Sequence, residues 1–74
     1  MRSTECRAEL AGTVSVRLVE DGAQVEAGDK ILEIECMKTL WGVSAPCAGV
    51  VRHKVELGHV VAQDQVVAVI EQQG

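Results

Sequence analysis

The chain repeats itself, and the repeat limits what it can fold into more than any other feature. Ala8, Leu10, Ala11, Gly12 and Val14 recur 37 positions later as Ala45, Cys47, Ala48, Gly49 and Val51. After a one-residue deletion the offset becomes 36, and Gly22, Val25, Ile31, Ile34 and Glu35 recur as Gly58, Val61, Val67, Ile70 and Glu71. A unit this short cannot bury its own apolar face, so the two copies must pack on each other about a pseudo-twofold axis. At 74 residues there is room for one such pair and one core. The expectation is a single domain over residues 1–74, with an ordered core over about 6–72 and fraying over the polar residues 1–4.

Each copy is built from strands. Val14, Val16 and Leu18 alternate with Thr13, Ser15 and Arg17, the period of a half-buried strand. Residues 30–35 and 66–71 form a second strand type, and residues 48–55 repeat the first. Val25 and Val61 are isolated apolar anchors between turn signals at Gly22, Gly28 and Gly58. Pro46 ends the strand before it, because it has no N–H for a ladder. Valine, crowded in a helix and comfortable on a pleat, supplies much of the apolar content. No stretch carries a sustained 3.6-residue stripe, so no helix is expected. The fold predicted is all-β, a flattened sandwich of about eight short strands. Trp41 shares a strand face with Val43 and Ala45 and is expected in the core.

Composition excludes several classes of function. A net charge of −4 with scattered basic residues offers no phosphate-binding stripe, so no nucleic-acid partner is expected. The longest apolar runs, such as residues 66–70, are far too short to span a bilayer, and charges at Arg2, Glu5, Arg7, Glu9, Arg17 and Glu20 interrupt any leader-like core. Cys6, Cys36 and Cys47 are odd in number and lack CxxC spacing, which predicts reduced thiols in a cytoplasmic protein. Together with His53 and His59 they show no metal-ligand spacing, so no zinc site is expected. Nothing resembles a Ser-His-Asp or Cys-His constellation, paired carboxylates or a phosphate loop, which argues against an enzyme.

The connection between the copies is the exception to the repeat. Cys36 to Val43 has no counterpart after Glu71. If the strand ending at Glu35 or Cys36 pairs with one starting at Thr39, a tight hairpin carries Met37 and Lys38 at its tip. Such turns want positive φ at both central positions, which Gly or Asn tolerates and which costs Met or Lys on the order of 1–2 kcal/mol each. Two bulky residues there point to identity kept for chemistry.

Glu35-Cys36-Met37-Lys38-Thr39, followed by Val43-Ser44-Ala45-Pro46 and Gly49-Val50-Val51, resembles the biotinyl branch of the biotinyl/lipoyl attachment domains. The likeness runs from Ala8-Glu9-Leu10-Ala11-Gly12-Thr13-Val14 to Val69-Ile70-Glu71. It implies a barrel-sandwich hybrid, two four-stranded antiparallel sheets with quasi-twofold symmetry and a modifiable lysine on the hairpin between the halves. It further implies that Lys38 is joined to biotin as an amide by a biotin protein ligase. The chain would then be a biotin carboxyl carrier, moving carboxyl groups between a biotin carboxylase and a carboxyltransferase. Met37 matches the methionine of biotinyl domains, where lipoyl domains usually place an acid, and bears on recognition by the ligase. Glu35, Cys36 and Thr39 flank the motif. Cys36 stands where Ala or Ser is usual, and Thr39 where a second methionine is commoner. Glu20-Asp21-Gly22 makes a short turn, so the protruding insertion of some acetyl-CoA carboxylase carriers is missing. Two other readings stay open: a lipoyl carrier of a 2-oxoacid dehydrogenase or glycine cleavage system, and an unmodified structural domain of the same fold.

Overall fold

The computed structural model describes residues 2–72. Eight strands follow one another: β1 (Arg2–Arg7), β2 (Gly12–Arg17), β3 (Gln24–Val25), β4 (Lys30–Cys36), β5 (Thr39–Ser44), β6 (Gly49–His53), β7 (Val60–Val61) and β8 (Val66–Gln72). They form two antiparallel four-stranded sheets, in the orders β1-β8-β6-β3 and β5-β4-β2-β7. Shifting the chain by one copy of the repeat turns the first order into the second, so the pseudo-twofold predicted from sequence relates the sheets strand by strand. The all-β two-sheet architecture is as expected. No helix among the described residues is long and apolar enough to cross a membrane.

The inward residues of both sheets make one core. Ile31, Leu32, Ile34 and Val14 on one side meet Val67, Ala68, Ile70 and Val51 on the other, all essentially without solvent contact. Val25 and Val61, the lone anchors, lie buried in the two-residue strands β3 and β7. Among the described glycines, Gly12 and Gly49 lie closest against a neighbouring strand. A Cβ at Gly12 would fall on the Glu35 carbonyl oxygen, and one at Gly49 would lie 2.5 Å from that of Glu71. These glycines are repeat equivalents, so the same close approach is built twice. Turns are matched too: Gly22 and Gly58 have φ of 89° and 84°, and Asp64 (φ 69°) takes the place of Gly28 (φ 92°).

Three expectations need correction. Residues 2–4, expected to fray, belong to β1 and pair with β8, Arg2 opposite Gln72 and Thr4 opposite Ile70. The strand exists because the repeat demands it: β1 is the copy of β5, 37 residues earlier. Met1 lies outside the described residues. Trp41, expected in the core, is 44% exposed. It does face inward, opposite buried Ile34, but β5 is the outermost strand of its sheet and leaves one side of the indole uncovered. Leu18, expected to continue the inward row of Val14 and Val16, is 46% exposed. A register shift between Val14 and Val16 breaks the alternation, and β2 ends at Arg17.

Candidate functional site

Two residues join β4 to β5. Cys36 pairs with Thr39, Glu35 with Leu40 and Ile34 with Trp41, so Met37 and Lys38 alone reverse the chain. Both adopt left-handed backbone, with φ of 51° and 65°. This is the double positive φ of a type I′ turn, whose twist matches the strands it joins. Asn-Gly would satisfy it without strain; Met-Lys does so at about 1–2 kcal/mol per residue. The ladder behind the tip imposes the conformation. It continues from Cys36 to Lys30, with a register shift between Lys30 and Leu32, and is anchored by Ile31, Leu32 and Ile34 in the core.

The tip is open. Met37 is 92% exposed and Lys38 and Thr39 are exposed. Lys38 makes no side-chain hydrogen bond and no ion pair among the described residues. Cys36 is half-buried beneath the turn, and Glu35 is exposed on the outer face of β4 with Glu33 half-buried two residues behind. The five residues singled out from sequence, Glu35, Cys36, Met37, Lys38 and Thr39, are therefore gathered at one hairpin. An amine with no partner, on a stiff two-stranded support, can enter another protein's active site without breaking any contact of its own. That geometry fits a lysine bearing an amide-linked group.

Cys6, Cys47 and the two histidines lie away from the hairpin. Among the described residues no three potential ligands converge on a metal-sized space. His53 Nε2 donates to the Val19 carbonyl oxygen at 2.8 Å, and the His59 Nδ1 accepts the Glu56 N–H at 3.2 Å, so each ring ties down a turn. Cys6 lies in the core, where burial pushes its thiol above the ordinary range and the neighbouring Cys47 pushes it the same way. What sequence reasoning missed is the pair of bulky apolar side chains displayed near the hairpin, Leu40 at 52% and Val60 at 76% exposure.

Known proteins resemble this chain in sequence and in fold. A family model described as "Biotin-requiring enzyme" (Biotin_lipoyl) matches residues 4–70. The chain is 48% identical over 44 residues to the mitochondrial methylcrotonoyl-CoA carboxylase subunit alpha of Oryza sativa subsp. japonica, covering 60% of this chain and 6% of that protein. It is 45% identical over 45 residues to the glycine cleavage system H protein of Bifidobacterium longum (strain NCC 2705), covering 61% of this chain and 33% of that protein. Among solved structures, the urea carboxylase of Kluyveromyces lactis superposes with a TM-score of 0.89 at 32% identity, over 96% of this chain and 6% of that one. A single-chain, multi-domain long-chain acyl-CoA carboxylase superposes with a TM-score of 0.80 at 29% identity, over 95% of this chain and 7% of that one. The chain thus spans no more than 33% of the length of any of these four.

Proposed function

The chain belongs to the biotin/lipoyl attachment family, and from that premise we propose that it is a biotin carboxyl carrier domain, biotinylated on Lys38 and without catalytic activity of its own. The observation that carries the proposal is the turn. Lys38 and Met37 hold the two positive-φ positions of the hairpin joining the two copies, where local preference favours other residues. Biotin so attached carries carboxyl groups between a biotin carboxylase and a carboxyltransferase, as the carboxylases among the relatives suggest. We take residues 1–74 as one such domain, working in the cytoplasm with its thiols reduced.

The chain's own part is presentation. Lys38 Nζ must lose its proton and attack an activated carboxyl carbon, whose activating group leaves as the amide forms. Among the described residues no side chain is bonded to Lys38 that could take that proton, so the biotin protein ligase supplies both the base and the activated acyl group. The amide removes one positive charge from the hairpin and leaves the strands untouched. Met37, flanking the amine and almost fully exposed, is available for the ligase to read. Effective concentration then accounts for the gain: a tethered group meets both partner sites without diffusing free.

The likeness to the glycine cleavage H protein favours a second reading, lipoylation of the same lysine. The two are separated by producing the domain with a biotin ligase and, separately, with a lipoate ligase, and measuring intact mass and streptavidin capture. Biotin addition that is lost in Lys38→Ala supports the proposal. A lipoyl adduct alone supports the second reading, and no adduct from either ligase contradicts both.

A further inference from the structure

The repeat supplies an internal control for the limb of the hairpin. Strands β1 and β5 are equivalent outermost strands, so what the fold needs of one it needs of the other. On the inner side of β5, Thr39 and then Trp41 follow the tip, opposite Cys36 and Ile34. The same places on β1 are Arg2 and Thr4, opposite Gln72 and Ile70. The order of sizes is reversed. Strand β1 has a long side chain and then a short one, whereas β5 has a short one and then the only aromatic residue of the chain. A threonine suffices to finish this corner of the core on the sister sheet, so the indole serves something else.

Exposure on this inner side rises toward the tip, from buried Ile34 through half-buried Cys36 to exposed Thr39, and Trp41 is 44% exposed where the core ends. Only the small Thr39 stands between the indole and the turn. Trp41 lies three residues beyond Lys38, about 10 Å along an extended strand. A biotinyl group on Lys38 has the longer reach, because the lysine methylenes, the amide and the acid's own chain make about ten bonds of about 1.5 Å each. The bicyclic ring at its end suits an indole. Its thioether sulfur is a soft partner for an aromatic ring, and its hydrocarbon edge gains by leaving water. Its polar ureido group keeps its hydration at the open edge of the sheet.

We propose that Trp41 is a resting place for the biotin ring carried on Lys38, reached across Thr39, between visits to the partner enzymes. The inference rests on the reading of Lys38 as the biotinylated residue. The tether commits the surface to this occupant: a ring that cannot leave the hairpin meets Trp41 at an effective concentration far above that of a free competitor. Weak contact is enough under those conditions. It is also what a carrier needs, since the ring reaches the next active site only in proportion to the fraction of time it is undocked.

Trp41 is its own reporter, because no other residue of the chain has indole fluorescence. The full chain is prepared unmodified and biotinylated, with intact mass confirming the adduct, and Trp41 emission is quenched with acrylamide. Biotinylation should move the emission to shorter wavelength and lower the quenching constant about twofold. Lys38→Gln, which removes the charge without adding a ring, should leave both as in the unmodified chain. Thr39→Met sets a long side chain across the path and keeps the indole; its quenching constant should be the same before and after biotinylation. Trp41→Thr installs the sister strand's residue. Once biotinylated, it should be captured by streptavidin about threefold faster than wild type, since capture needs the undocked ring. If wild type carries biotin and neither its quenching nor its capture differs from these controls, the resting place is wrong and the acceptor reading stands. If wild type is not biotinylated at all, both fall.

Discussion

Replacing Lys38 by glycine should stabilise the domain while abolishing its acylation, and replacing it by alanine should do only the second. Lys38 sits at φ 65° and Met37 at φ 51°. A side chain in left-handed backbone costs about 1–2 kcal/mol relative to one at ease, and glycine escapes that cost because it has no Cβ. Glycine also loosens the unfolded chain, which takes back about 0.4–1 kcal/mol. The midpoints of the two ranges leave a net gain for Lys38→Gly of about 0.8 kcal/mol, or a rise of roughly 3–6 °C in Tm for a domain of this size. Alanine keeps the Cβ and relieves nothing, so Lys38→Ala should melt within about a degree of wild type. The lysine head makes no hydrogen bond or ion pair whose loss would confuse the comparison. Thermal and urea unfolding monitored by circular dichroism read the difference. Equal stability of the glycine and alanine variants, or a glycine variant less stable than wild type, would refute the claim that a strained turn is kept for the sake of its amine.

Other consequences concern the frame. Gly12→Ala drives a Cβ into the Glu35 carbonyl and Ile34 side chain, both on β4, and should cost at least about 1–3 kcal/mol in urea unfolding. Ile34→Ala, removing a fully buried side chain one position further back, should cost about 2–5 kcal/mol and lower biotinylation only through the fraction unfolded. Cys6 has a thiol value raised in the folded state, so the folded chain holds its proton where the unfolded chain has lost it. Stability from that difference is intact below the ordinary thiol range and is lost as pH rises through the raised value. Cys6→Val, the residue its repeat equivalent Val43 already is, should remove that alkaline loss in urea titrations from neutral pH upward.

Much of this molecule was legible in the sequence because the repeat and the strand period report on the same core. Equivalent pairs such as Ile34 and Ile70, or Gly12 and Gly49, occupy equivalent places in the two sheets. The turn at Met37 and Lys38 was legible from chain geometry alone, since pairing Cys36 with Thr39 leaves two residues and positive φ at both. What escaped was set by position within a sheet rather than by the residue. Nothing in Trp41-Gly42-Val43 says that β5 is an edge strand, and only an edge leaves the indole half-covered. The shift at Val14 to Val16 hides in a stretch whose hydropathy alternates without a break. Strand β1 could have been found: Ser3-Thr4-Glu5-Cys6 looks polar and unlike Leu40-Trp41-Gly42-Val43, but the 37-residue offset carried back beyond Ala8 requires a strand there.

The central claim is that Lys38 is the acceptor, and peptide mapping by tandem mass spectrometry tests it most directly. The domain is biotinylated by a biotin protein ligase, digested, and every lysine-containing peptide is read. The account predicts one biotin, on Lys38, with Lys30 and Lys54 unmodified and no adduct in Lys38→Arg. Biotin on Lys30 or Lys54, or an adduct that survives Lys38→Arg, would contradict it.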